Sequence, residues 1–522
     1  MTDMLSPQDV RALLLARREI AILDLREEAP YSDAHPLFAA NMPLSRLELE
    51  AYDRLPRRDV TIVVYDDGEG VAQTGAERLK ALGYTRVHLL EGGLQGWRDA
   101  GFELFRDVNS ACKAFGELVE SRRHTPSLPA PEARALIESK QDLVVLDVRR
   151  FEEYNTMSIP RGVSVPGAEL VLRAREIAPD PNTTIIVNCA GRTRSIIGTQ
   201  SLINAGLPNP IFALRNGSIG WTLAGQTLDT GQTRRFPEVS DQTAETARAS
   251  AREVSYRAGV RRITPAVLAV LQQDQSRTLY MLDVRTPEEY GAGHIPGFVS
   301  APGGQLVQET DVSAPVRGAR IVLADDQGVR ADMTASWLAQ MGWDVMVLDG
   351  GFDGPLDKGI RAPERPAAPA VETVTVGDVG ALIDAGAVVV DLAANPVFKR
   401  GHIPGAWFAI RAQLMDALKR LPQADSYILT SPDGVLARFA APELAALSGK
   451  AVRVLQGGTA AWTGAGLSLE AGERFANEPV DVYRRPYEGT DNAAEAMQAY
   501  LDWEYGLIAQ LARDGTHGFY VI

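Results

Sequence analysis

The stretch Asn188-Cys189-Ala190-Gly191-Arg192-Thr193-Arg194-Ser195 gathers the residue types that can create an anion and hold it. It follows a β-branched apolar run, Thr183 to Val187, which predicts a buried strand, and precedes Ile196 to Leu202, whose spacing predicts a helix. The cysteine therefore ends a strand and opens a helix, where several backbone N–H groups lack intrahelical partners and favour a negative charge. A free thiol titrates near about 8.5, and helix N-termini with neighbouring arginines lower this to roughly 3.5–7.5. The terminus alone contributes about 0.3–1 kcal/mol, less than the roughly 1.36 kcal/mol of one pKa unit, so the loop amides, Arg192 and Arg194 must supply the remainder. Both guanidinium groups also suit a doubly charged tetrahedral oxyanion, which they grip bidentately. An inert buried thiol is the ordinary fate of a strand-end cysteine, but two arginines and a glycine within five residues argue for a nucleophile. Such a nucleophile must face an opening.

The elements that position this loop belong to a long chain. Its 522 residues, 45% hydrophobic and 23% charged, are those of a soluble globular protein of three or more domains. A formal net charge of −14 argues against nucleic acid or an anionic membrane as partner. No run of about twenty apolar residues occurs, and Met1 to Val10 lacks the layout of a signal peptide, so a cytoplasmic location is expected. The two cysteines, Cys112 and Cys189, form no C-x-x-C pair, which speaks against a disulfide scaffold or a cysteine zinc cluster and for reduced thiols. Nothing in the sequence requires a metal or an organic cofactor.

A short apolar strand ending in Asp recurs four times: Ile22-Leu23-Asp24, Val145-Leu146-Asp147, Met281-Leu282-Asp283 and Val389-Val390-Asp391. A second strand and loop follow, reaching Asp66, Cys189 and Asp325 after 42 residues and Ser431 after 40. Thirteen residues further on stand Leu79, Leu202, Leu338 and Leu444, so the register holds through the next helix. Each unit closes with an apolar strand and a glycine turn: Gly92-Gly93 before Trp97, Asn216-Gly217 before Trp221, Gly350-Gly351, and Gly457-Gly458 before Trp462. A repeat of about 100 residues is a domain. Alternating short strands and helical stretches predict an α/β class.

The Asp-x-Arg after a strand, Gly293-His294-Ile295-Pro296-Gly297 and Gly401-His402-Ile403-Pro404-Gly405-Ala406, the loop Cys189 to Arg194, and the closing Gly-Gly-x-x-x-Trp together resemble the rhodanese homology domain. The resemblance implies four tandem domains, each a parallel sheet flanked by helices, with the reactive loop at the carboxyl end of a central strand. They are expected at 1–106, 125–231, 263–360 and 371–470, followed by a helical extension, 471–522. Only the second should be active, because Asp66, Asp325 and Ser431 replace the cysteine in the others. A carboxylate cannot accept sulfane sulfur, and serine without a base is a far weaker nucleophile.

Unit two has no histidine after His124, which disfavours a Cys–His pair. Asp147 and Arg149 are similar to the family's pair bracing the loop, an ordinary strand-end ion pair being the alternative. Glu153 stands where two-domain rhodaneses offer a donor-binding arginine, which shifts that role to Arg192, Arg194 and Arg215. Cys112, beside a helix expected over Lys113–Arg122, is read as structural. The polar stretch Gln232 to Arg262 is expected to be a helical or extended linker, and Arg361 to Pro369 a stiff proline-rich connector. In the tail, Ala494, Met497, Leu501, Tyr505, Ile508 and Leu511 predict one amphipathic helix that packs on a domain or on a second copy of the chain, giving a homodimer.

The resemblance implies a thiosulfate sulfurtransferase: Cys189 takes the outer sulfur of thiosulfate, and cyanide, a small thiol or an acceptor protein removes it from the persulfide. A persulfide-carrying scaffold of low turnover is the alternative from another class. A phosphatase resembling the family needs its arginine six places after the cysteine, where Ser195 stands here. The two loop arginines favour thiosulfate over mercaptopyruvate as donor.

Overall fold

The computed structural model describes residues 3–139 and 141–522; Met1, where the first expected domain begins, lies outside them. Four α/β units follow one another, each built on a parallel sheet with the same strand order. In unit two the order is Ser127–Leu128, Ile211–Leu214, Thr184–Asn188, Leu143–Asp147 and Gly162–Ser164. The central pair is in register so that Asp147 lies beside Asn188. Asp24 with Tyr65, Asp283 with Ala324 and Asp391 with Thr430 repeat that pairing. In every unit the next residue is the one at the cysteine position. Ile185 and Val187 are fully buried, as a strand covered on both faces requires.

Asp147 and Arg149 form a buried ion pair. The arginine donates through Nε (2.9 Å) and Nη2 (2.7 Å) to the two carboxylate oxygens, and Asn188 Nδ2 adds a third bond at 3.0 Å. Arg26 on Asp24 and Arg285 on Asp283 repeat the fork. In unit four Ala393 takes the arginine's place, and burial pushes the Asp391 carboxyl up to about 6.

The stretch Gln232 to Arg262 contains a helix, Asp241–Arg257, capped by Ser240, whose hydroxyl accepts from the Thr243 N–H. Its face of Ala244, Ala247, Ala251 and Val254 packs between units two and three. The helix after Cys112 runs Ser110–Arg123. Units one and three share one hydrophobic core, and the strand Val316–Arg317 of unit three joins the sheet of unit one, antiparallel to Ile20 and Ala21. Arg411 of unit four pairs with Glu48 of unit one at 2.7 Å.

The tail departs from expectation. Two helices, Ala494–Tyr505 and Leu507–Asp514, replace the single one, with the break at Gly506, the residue type least able to continue a helix after proline. The amphipathic face is covered within the chain: Met497 and Leu501 pack on unit two, while Leu507 and Leu511 enter the core of units one and three. Tyr505, placed in the apolar stripe by its spacing, is half exposed. Among the described residues no helix is long and apolar enough to cross a membrane.

Candidate active site

The strand Thr184–Asn188 ends at Cys189, and the helix that follows begins at Thr193. The first-turn amides of Thr193, Arg194 and Ser195 have no intrahelical acceptors, and that of Ser195 is directed at the Cys189 sulfur. The loop is closed from below by the turn into the helix Gly217–Leu223. Ser218 N–H donates to the Cys189 carbonyl at 2.9 Å, and Ile219 N–H donates to that of Ala190 at 3.0 Å. Gly217 permits this approach: its φ is +53°, and a Cβ there would lie 2.3 Å from the Cys189 carbonyl oxygen. Any other residue would push the loop out of place.

The thiol donates to Ser195 Oγ at 3.4 Å, and that hydroxyl donates to the Arg192 carbonyl at 2.8 Å. Burial pushes the Cys189 thiol above its usual range, with Arg194 the strongest influence in the opposite direction and Ser195 next. The expected depression is therefore opposed by desolvation in the closed loop.

The two arginines have different surroundings. Arg194 Nη1 and Nη2 bond both oxygens of Glu153, at 2.7 and 2.9 Å. Burial would raise the Glu153 carboxyl, but Arg194 overcomes it and holds the group at about 2. Glu153 thus anchors the arginine whose charge acts on the thiol. Arg192 is buried against other elements: Nε and Nη2 bond Glu117 at 2.7 and 2.9 Å, Nη2 also meets Glu120, and the guanidinium lies 4.3 Å from the Tyr505 ring. Its charge is committed to the connecting helix Ser110–Arg123 and the tail. Arg215 is exposed, bonded to Ser127 Oγ at 3.1 Å. Of the three arginines assigned to the donor, the structure brings only Arg194 to the thiol.

The expectation of an open thiol is not met. Cys189 is 1% exposed. Tyr487, Met497, Tyr500 and Leu501 of the tail form an apolar cluster with Ala190 and Ile219, and they cover the loop. Beside this cover lies a cavity of about 550 Å3 whose wall includes Arg194, Glu153 and Tyr487. A second cavity, of about 300 Å3, is bounded by Ser218, Ile219, Tyr487 and Met497. Tyr487 stands between them. Cys112 is buried, and burial pushes its thiol up to about 12, in keeping with a structural role.

Sequence reasoning missed the cover and the partners of Arg192, since Glu117 and Tyr505 lie far away along the chain. Two signals were available. Ser195 has alanine at the corresponding place in the other units, Ala72, Ala331 and Ala437. Glu504 falls three residues after Leu501 and seven after Met497, on the buried face of the tail helix.

The family model for the rhodanese-like domain matches residues 6–100, 129–224, 264–356 and 375–465. The chain belongs to the rhodanese family. A solved structure described as thiosulfate sulfurtransferase from Pseudomonas aeruginosa is 60% identical, with all of both chains covered and a TM-score of 0.98. A thiosulfate sulfurtransferase of Azotobacter vinelandii is 25% identical over 256 residues, which span 42% of this chain and 92% of that protein. Of the four matched rhodanese-like domains, the second has a cysteine, Cys189, where the others have Asp66, Asp325 and Ser431.

Proposed function

We propose that this rhodanese is a thiosulfate sulfurtransferase working through a persulfide on Cys189. The observation that carries the reading is the placement of Cys189 at a helix N-terminus, bonded to Ser195 and under the charge of Arg194. Because Cys189 is buried beneath the tail segment bearing Tyr487 and Tyr500, entry of the dianion requires that segment to move aside. The Cys189 thiolate attacks the outer sulfur of thiosulfate, the S–S bond of the donor breaks, and sulfite leaves with its electron pair. Loop amides and Arg194 then hold the terminal sulfur of the Cys189 persulfide as an anion. A cyanide ion or a thiolate attacks that sulfur and forms thiocyanate or a new persulfide, and Cys189 departs as thiolate. A cytoplasmic setting, where both thiols stay reduced, suits this cycle.

Thiocyanate formation from thiosulfate and cyanide, with the intact mass of the protein after thiosulfate alone, tests the reading. The expected result is turnover abolished in Cys189→Ser and a gain of one sulfur atom on the Cys189 peptide of the wild type. Turnover undiminished in the variant would refute it. The cover over Cys189 favours one second reading, a persulfide carrier that gives up its sulfur only to a partner able to displace the tail. Slow turnover with a long-lived persulfide would select it.

A further inference from the structure

The tail places one acid directly on the reactive loop. Glu504, in the helix Ala494–Tyr505, is fully buried. Its Oε1 accepts from Tyr500 Oη at 2.8 Å and meets Thr193 Oγ1 at 3.5 Å. Its Oε2 has no hydrogen-bond partner among the described residues, and it would lie 3.3 Å from a Cβ on Gly191. Two hydroxyls on Oε1 leave Oε2 as the oxygen that carries the proton when the group is neutral.

We propose that Glu504 is a positioning residue that acts through Cys189: neutral, it leaves the thiolate to Arg194 and the loop amides; ionised, it opposes thiolate formation. The inference rests on the reading of Cys189 as the nucleophile.

The surroundings of Glu504 give it no fixed countercharge. From the helix Ser110–Arg123 it faces Lys113 and Glu117, and from the loop Arg192 and Thr193; Tyr500 lies on its own helix. Lys113 is committed to Asp107 at 2.7 Å, and Arg192 to Glu117 and Glu120. Asp107 and Tyr487 face Tyr500 in turn. Burial pushes the Glu504 carboxyl up to about 7, with Lys113 opposing and Glu117 reinforcing the rise. The thiol faces Arg194, Ser195 and Glu504, and the last opposes the first two. Near neutral pH the loop therefore has two electrostatic settings, chosen by a proton on the tail.

The test is the alkylation rate of Cys189 by iodoacetamide in the full-length protein across pH, resolved by peptide so that Cys112 is scored apart. Glu504→Gln keeps the shape and cannot ionise. It should match the wild type below about pH 6 and react about threefold faster above about pH 8, the change in thiolate produced by half a pKa unit. Superimposable profiles would overturn the proposal. A uniform acceleration at every pH would mean a loosened cover, and would overturn it equally. Should Glu504→Gln melt below the assay temperature, Tyr500→Phe takes its place. Loss of that donor makes Glu504 harder to ionise, so alkylation near pH 7 to 8 should rise about twofold and rejoin the wild type at higher pH. An unmoved profile would sink the idea. Absence of persulfide on wild-type Cys189 after thiosulfate would remove the nucleophile reading without touching the alkylation result.

Discussion

Units two and three build the same strand, loop and helix and place different groups inside it. In unit three the Asp325 carboxylate occupies the position of the thiol and accepts from the N–H groups of Gln327 (3.0 Å), Val329 (2.8 Å), Arg330 (2.7 Å) and Ala331 (3.3 Å). Burial would raise that carboxyl, but Arg330 and these amides hold it below the usual range. Arg330, at the place of Arg194, bonds Asp325, Asp326, Glu289 and, across the domain boundary, Glu169 of unit two. In unit two the same backbone surrounds a thiol, and Arg194 keeps one carboxylate partner, Glu153. The difference teaches that the loop is an anion holder first. In unit three the anion is part of the chain and cannot be exchanged, and the arginine forms an inter-unit tie.

Exchanging the anions is the strongest way to break this comparison. Cys189→Asp should reduce thiocyanate formation by about a thousandfold or more, since no sulfur can be carried. The same variant should be more stable than wild type by about 1.5–3 kcal/mol, the contribution of one charge-assisted hydrogen bond. Denaturant unfolding that shows it less stable would mean the unit-two loop does not favour an anion. Next in size, Asp325→Ala should destabilise the chain by about 3–5 kcal/mol, because Arg330 and the loop amides lose their buried partner. A neutral outcome would show that the Asp325 loop has no structural role.

Arg194→Ala should raise the KM for thiosulfate about tenfold, a loss of about 1.4 kcal/mol, with a smaller effect on kcat. An unchanged KM would leave the donor to be held by amides alone. Smallest is Ser195→Ala, which makes unit two like the other three at this position. Loss of the hydroxyl beside the sulfur should slow Cys189 alkylation about threefold, close to 0.7 kcal/mol, within the range of one hydrogen bond. An unaffected rate would mean that the hydroxyl serves only the Arg192 carbonyl.

Much of this architecture was legible because it is local. The β-branched run before Cys189, the glycine turn after Leu214 and the Asp-x-Arg pair each specify their surroundings within a few residues; the glycine turn recurs in all four copies and the Asp-x-Arg pair in three. The partners of Arg192 were not legible for the opposite reason. Its spacing from Cys189 is that of a substrate ligand, yet Glu117 and Glu120 reach it from a helix outside the domain. Arg215 falls on a loop whose outward direction sequence spacing does not reveal. The cover comes from the part of the tail before Gly506, which lies over unit two, while the part after it enters the core of units one and three, a path set by where buried surface remained available. The periodicity of 494–511 showed an apolar face but not the break within it.

The strand that unit three lends to unit one has a consequence for how the copies can be separated. Cut out alone, unit one would lose the partner on one side of Ile20 and Ala21, leaving an open stretch of sheet edge, a template for pairing between molecules. Fragments ending before residue 316 should therefore precipitate or self-associate. Units one and three, knitted together in this way, cannot be parted without opening that edge.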